Sequence, residues 1–207
     1  MGSGNTLVKP WVLGVTGAAG AGKSTFCHFL EKECGFVWIS AVDIVHELYK
    51  PGQGGYKRIK EYFGSQFVGK FGVHRGRLRR FVLKTPEKIW ILNKLMHALV
   101  AHEVNKKIVQ MKSFDKGQKP ILICLEAAYF ERHDLGKFVD RIVILDAPDD
   151  VLFKRVKSRG VPETQIKALI KFQRKHLPRE AGLVIKNEGS VKKLFESAHR
   201  LYDRMNP

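Results

Sequence analysis

A chain of 207 residues that is 44% hydrophobic can bury one sizeable core with a small insertion, which excludes wholesale disorder. Its formal net charge of +17 points to polyanions: a nucleic acid, an acidic membrane surface or a phosphorylated small molecule. No apolar run approaches the roughly 18 residues that cross a bilayer, and the first residues lack a signal-peptide pattern, so a soluble, cytoplasmic protein is expected.

Val12–Val15 reads as a short strand running into a glycine-rich turn, and Ser24–Glu33 as the helix after it, with Phe26, Phe29 and Leu30 at helical spacing. Phe36–Ile39 is a second strand and Ala41–Tyr49 a helix stopped by Pro51-Gly52. Helices are then expected over Tyr56–Phe63, Arg77–Leu83 and Pro86–Val109. The last carries an apolar stripe through Ile89, Leu92, Leu95, Met96, Leu99 and Val100. A polar break over Lys112–Pro120 precedes two nearly continuous apolar runs, Ile121–Leu125 and Arg141–Leu145, which suit strands covered on both faces. Asp149–Arg159 and Glu163–Arg174 read as helices, Gly182–Ile185 as a strand and Ser190–Met205 as a closing helix. The alternation of strands and helices predicts an α/β three-layer domain on a parallel sheet. The all-helical stretch at about 53–112 falls outside that alternation and reads as an insertion beside the sheet.

Gly17-Ala18-Ala19-Gly20-Ala21-Gly22-Lys23-Ser24, followed by Thr25, satisfies G-x-x-x-x-G-K-[ST] at every fixed position, between a strand and a helix. Glycines let the backbone curl around phosphate oxygens with its N–H groups inward, and the helix start adds its positive dipole end. Lys23 is placed to neutralise the β- and γ-phosphates of ATP, and the Ser24 hydroxyl to ligate Mg²⁺. The guanine-reading N-K-x-D of GTPases is absent, because Asn93-Lys94-Leu95-Met96 lacks the aspartate. The length leaves little room for a motor, so a small-molecule kinase fits best.

Further blocks resemble, in order and spacing, those of the dephospho-coenzyme A kinases. They are Glu47–Gly52, Gly72–Arg75 with Leu78, His97–Val100, Glu126–Glu131, Asp140–Asp146, Arg155 with Arg159, Gln173, and Asn187-Glu188-Gly189. The resemblance implies transfer of the ATP γ-phosphate to the 3′-hydroxyl of dephospho-coenzyme A. It also implies three parts. These are a P-loop core over 9–52 and 113–207, a lid at about 150–178 and a helical coenzyme A domain at 53–112.

On that resemblance Arg75 and His97 hold the acceptor's phosphates, and Asn187 meets the adenine. Arg155 and Arg159, four apart and sharing a helix face, close over the transferring group. Glu126, at the end of an apolar strand, is placed to act on Mg²⁺ through water. One break stands out. Where the family has Asp-Ala-Asp, this chain has Ser40-Ala41-Val42, and Asp43 lies one residue on. Serine can donate a hydrogen bond but is no base at neutral pH, so Asp43 is the remaining candidate acid and Ser40 a candidate acceptor contact.

Alternatives remain: a weak or inactive nucleotide- and coenzyme-A-binding homologue, or a kinase for another hydroxyl. The spread of basic residues along the chain disfavours a nucleic-acid partner without excluding it. The chain is expected to be a monomer or a small homo-oligomer.

Overall fold

The computed structural model describes residues 9–112, 120–128, 130, 134–178 and 182–205. Five parallel strands make the central sheet: β1 (Trp11–Thr16), β2 (Val37–Ser40), β5 (Leu122–Glu126), β6 (Arg141–Asp146) and β7 (Leu183–Lys186). Their spatial order is β2-β5-β1-β6-β7, so the chain starts in the middle and winds to both edges. The strands lie within a residue or so of the apolar runs in the sequence, as expected where both faces are buried.

Helices cover the two faces. On one side α1 (Lys23–Cys34), α6 (Asp149–Lys157), α7 (Glu163–Lys175) and α8 (Val191–Met205) enclose a core containing Leu13, Val15, Phe26, Leu30, Leu145, Leu152, Ile166 and Leu194. On the other, α2 (Ala41–Leu48) and α5 (Pro86–Lys112) pack over Val12, Ile39, Ile123 and Leu125. The stripe of α5 buries Ile89, Met96, Val100, Val104 and Ile108, four residues apart along its second half. A fully buried side chain of this size contributes about 1.5–3 kcal/mol through removal from water.

Between α2 and α5 lie α3 (Gly54–Phe63), α4 (Arg75–Val82) and a hairpin of β3 (Val68–Gly69) and β4 (Gly72–Val73). Ile59, Phe67, Val73, Leu78 and Val82 form an apolar cluster of their own there. The stretch is therefore not wholly helical. Two-residue strands carry no hydrophobic period, so the alternation that reveals a strand has no length in which to appear. The hairpin is tied to the end of α2, where the Val73 N–H donates to Tyr49 O at 3.0 Å. Gly72 (φ 122°) passes so close that an added Cβ would lie 2.6 Å from the same oxygen.

Candidate active site

The C-terminal ends of β1, β5 and β2 meet at one rim of the sheet, where ligands of open α/β sheets bind. Register sets the neighbours: Glu126 stands beside Val15 on one side and Ser40 on the other. The loop after β1 runs through three glycines in the left-handed region of φ, Gly17 (146°), Gly20 (84°) and Gly22 (95°). Two of them also lack room for a side chain. A Cβ on Gly17 would lie 2.2 Å from Leu145 O, and one on Gly22 2.3 Å from Asn187 Nδ2. Gly22 then N-caps α1, so the helix begins with its free N–H groups toward the loop.

Lys23 folds back along the loop, and its Nζ donates to Gly17 O at 2.9 Å and Ala18 O at 3.2 Å. Burial lowers its pKa, while Glu126 raises it and Arg159 lowers it further. An incoming polyphosphate therefore meets a desolvated cation, whose attraction is stronger than in open water. Ser24 Oγ donates to Glu126 Oε1 at 2.8 Å. Glu126 is 3% exposed, a buried carboxylate held by a hydroxyl. These two oxygens fit Mg²⁺, a hard cation that is usually held by one or two carboxylates together with substrate phosphates and water. No group of three or more His, Cys, Asp or Glu side chains forms a metal site among the described residues.

A cleft of about 320 Å³ opens over the loop, lined by Lys23, Ser24, Ser40, Asp43, Arg159 and Gln173 among others. Ser40 caps α2, its Oγ accepting the Asp43 N–H at 3.2 Å, and this starts the helix so that Val42 and Asp43 both reach the cleft. Val42 is 46% exposed there. The Asp43 carboxylate lies 3.9 Å from His46 Nδ1 and is largely open to solvent.

Arg155 and Arg159 part company. α6 ends at Lys157, so Arg159 sits in the following turn rather than on the helix face expected from the four-residue spacing. Arg159 lines the cleft. Arg155 Nη1 instead donates to Gly20 O at 3.1 Å and Asn187 O at 3.3 Å, bracing the loop through its carbonyls. Asn187 is spent on the same task. It is 6% exposed, its Nδ2 donates to Ala21 O at 2.8 Å and its N–H to Asp146 O at 2.7 Å.

Arg75 and His97 do not join the nucleotide cleft. Arg75 begins α4 and lines a cleft of about 480 Å³ with His46, Tyr49, Arg79 and Leu169. His97 lines another, about 310 Å³, with Trp90, Lys94, Phe172 and His176, and pairs through Nδ1 with Asp134 Oδ2 at 2.6 Å. Nothing in the sequence marks Asp134, or Arg174, which donates to Ala147 O and pairs with Asp146 and Asp149. Both work with residues distant along the chain, and neither has a local signature.

The dephospho-CoA kinase family model matches residues 11–193 of this chain. The chain belongs to the dephospho-CoA kinase family. Among its relatives, the dephospho-CoA kinase of Coxiella burnetii is 31% identical over 179 residues, covering 85% of this chain and 84% of that protein. That of Idiomarina loihiensis is 31% identical over 199 residues, covering 94% of each. Solved structures with the same fold include a dephospho-CoA kinase from Campylobacter jejuni, with 22% identity, TM-score 0.58, and 94% and 96% of the two chains covered. The shikimate kinase of Bacteroides thetaiotaomicron also aligns, with 15% identity, TM-score 0.56, and 95% and 99% covered. The shared fold is that of P-loop kinases, an α/β sheet with the phosphate loop after its first strand.

Proposed function

We propose that this protein transfers the γ-phosphoryl group of ATP to the 3′-hydroxyl of dephospho-coenzyme A, the last step of coenzyme A synthesis. The carrying observation is the phosphate loop whose Ser24 hydroxyl is held on the buried Glu126, in a chain of this family. In the step, the acceptor oxygen bonds to the γ-phosphorus as the bond to the β–γ bridging oxygen breaks. ADP leaves, and the hydroxyl proton passes to a base. Lys23 and Arg159 stabilise the charge on the phosphoryl oxygens, while Arg155 and Asn187 keep the loop carbonyls fixed. Ser24 and Glu126 would hold Mg²⁺, which when bound neutralises phosphate charge.

Asp43 is the carboxylate of this cleft best placed to take the proton, being exposed in the first turn of α2. The transition state of phosphoryl transfer is loose, so positioning and charge outweigh the base, whose help is typically about 10²–10⁴-fold. The expected enzyme is slow rather than dead. The residues 53–112 supply the acceptor's domain, with Arg75 and His97 in clefts that it shares with α7, and residues of about 150–178 act as the lid. The free cysteines Cys27, Cys34 and Cys124 are all buried, which suits a reducing cytoplasm.

The test is an ADP-release assay over a panel of acceptors that includes dephospho-coenzyme A. The reading requires ADP formation dependent on that acceptor and on Mg²⁺; protein that binds ATP yet makes no coenzyme A at any acceptor concentration ends it. One observation favours a second reading, a binding homologue with little catalysis: Ser40 Oγ is engaged as a helix cap and Val42 presents an apolar side chain to the cleft.

A further inference from the structure

Gln173, on α7, reaches across the cleft and accepts the Ala19 N–H on its Oε1 at 2.7 Å. Ala19 belongs to the loop whose main-chain donors are directed at phosphate oxygens. A neutral side-chain oxygen therefore occupies a donor of the anion cradle. Ala19 and Gln173 line the same cleft as Lys23, Asp43 and Arg159, the residues that on the kinase reading meet the terminal phosphate and the acceptor. A hydrogen bond to a charged oxygen is roughly twice as strong as one to a neutral oxygen, so phosphate wins the contest for this N–H.

The neighbours of Gln173 are committed elsewhere. Phe172 packs on His176, with ring centroids 4.3 Å apart, in the cleft that holds His97. Arg174 anchors the same turn to Ala147 O, Asp146 and Asp149. With the helix fixed through Arg174, Gln173 can leave the loop by rotating its own side chain.

We propose that Gln173 is a positioning residue that holds the place of the terminal phosphate: its amide oxygen orients the Ala19 peptide and yields to a γ-phosphate oxygen. This rests on the kinase reading above. Such a residue acts on ATP and leaves ADP alone, because only ATP carries the phosphate that displaces it. Its bond to the Ala19 N–H must be given up to the phosphate, at some cost in ATP affinity.

The experiment is calorimetric titration of wild type, Gln173→Met and Gln173→Glu with ADP and with a non-hydrolysable imido analogue of ATP, in Mg²⁺. Methionine keeps the length and removes the oxygen, so Gln173→Met should bind the analogue about two- to tenfold tighter, the range of one released hydrogen bond, with ADP unchanged. Glutamate keeps the acceptor and adds charge, so Gln173→Glu should weaken the analogue selectively, and it carries the test should the methionine variant not fold. Equal shifts for both nucleotides, no shift, or a weaker analogue in Gln173→Met overturn the inference while leaving the kinase reading intact. A wild type that binds neither nucleotide overturns both.

Discussion

Ser24 Oγ and Glu126 Oε1 are 2.8 Å apart, which joins the phosphate loop to the last residue of β5. Glu126 is 3% exposed, and a carboxylate so buried is retained at a cost unless something answers its charge. The hydroxyl answers part of it, and Lys23, whose pKa Glu126 raises against the lowering by burial, answers more. Loop, cation and acid are thus one electrostatic unit, in which Ser24 and Glu126 are the oxygens that would hold a divalent ion beside polyphosphate.

Glu126→Gln should therefore raise the Mg²⁺ concentration for half-maximal rate and lower kcat by about 10–100-fold, the usual cost of disturbing a metal's oxygen environment. Glutamine keeps the acceptor for Ser24, so the fold should stand. A magnesium titration of initial rates checks this, and an unchanged magnesium requirement would remove Glu126 from the metal site.

Lys23→Ala removes the desolvated cation and frees Gly17 O and Ala18 O. A loss of about 10²–10³-fold in kcat is expected, as when one preorganised transition-state donor is deleted. Thermal stability should change little, because the side chain spends its hydrogen bonds on carbonyls that water can reach once it is gone. Parallel rate and melting measurements separate the two effects.

Placing acids at Ser40 and Val42, where the resemblance leads one to expect aspartates, tests whether the cleft lacks a base. Aspartate caps a helix as well as serine does, so Ser40→Asp can keep the start of α2. Val42 is 46% exposed, so Val42→Asp removes little buried apolar surface. If Asp43 is a poor substitute for the missing base, the double variant should gain about tenfold or more in kcat, within the range of general-base help. No gain in rate would mean that Asp43 already suffices or that the limiting step is elsewhere.

Much of this site is legible in the sequence, and the reason is local. The G-x-x-x-x-G-K-S spacing encodes a backbone path in eight consecutive residues, and the apolar runs of β1, β5 and β6 announce a buried parallel sheet. What escaped lies in contacts without sequence proximity. Arg155 and Arg159 looked equivalent from their spacing, yet α6 stops between them and only Arg159 faces the cleft. Asn187 looked free to meet a base, but its amide is spent on Ala21 O. The bond from Ala19 to Gln173 joins the phosphate loop to α7, and no periodicity foretells it.

Gly22→Ala probes that hidden packing. Gly22 has φ 95°, and its Cβ would meet Asn187 Nδ2 at 2.3 Å, so two costs combine. A destabilisation above about 2 kcal/mol is expected from backbone strain plus displacement of a buried hydrogen bond. In a double-mutant cycle with Asn187→Ala, the clash should vanish while the strain remains, giving a non-additive pair. Urea unfolding of the four proteins measures the coupling, and strict additivity would show that Asn187 yields freely.

Tyr49 offers a prediction about pH. It packs against two apolar clusters and lines the cleft that contains Arg75. Burial pushes its phenol up to about 12, while the Arg75 charge pulls it down. The unfolded value is about 10. A folded-state pKa raised above the unfolded one gives stability that is fully present below pH 10 and is lost as pH rises toward 12. Tyr49→Phe cannot ionise, so it lacks this alkaline loss, which amounts to something on the order of 2 kcal/mol for the wild type. Urea unfolding at pH 9 and pH 11.5 should accordingly show the wild type falling more steeply than Tyr49→Phe. Parallel slopes for the two proteins would mean that the phenol reaches solvent in the folded state, and that the cleft beside Arg75 is more open than its packing against Leu78, Val82 and Leu92 implies.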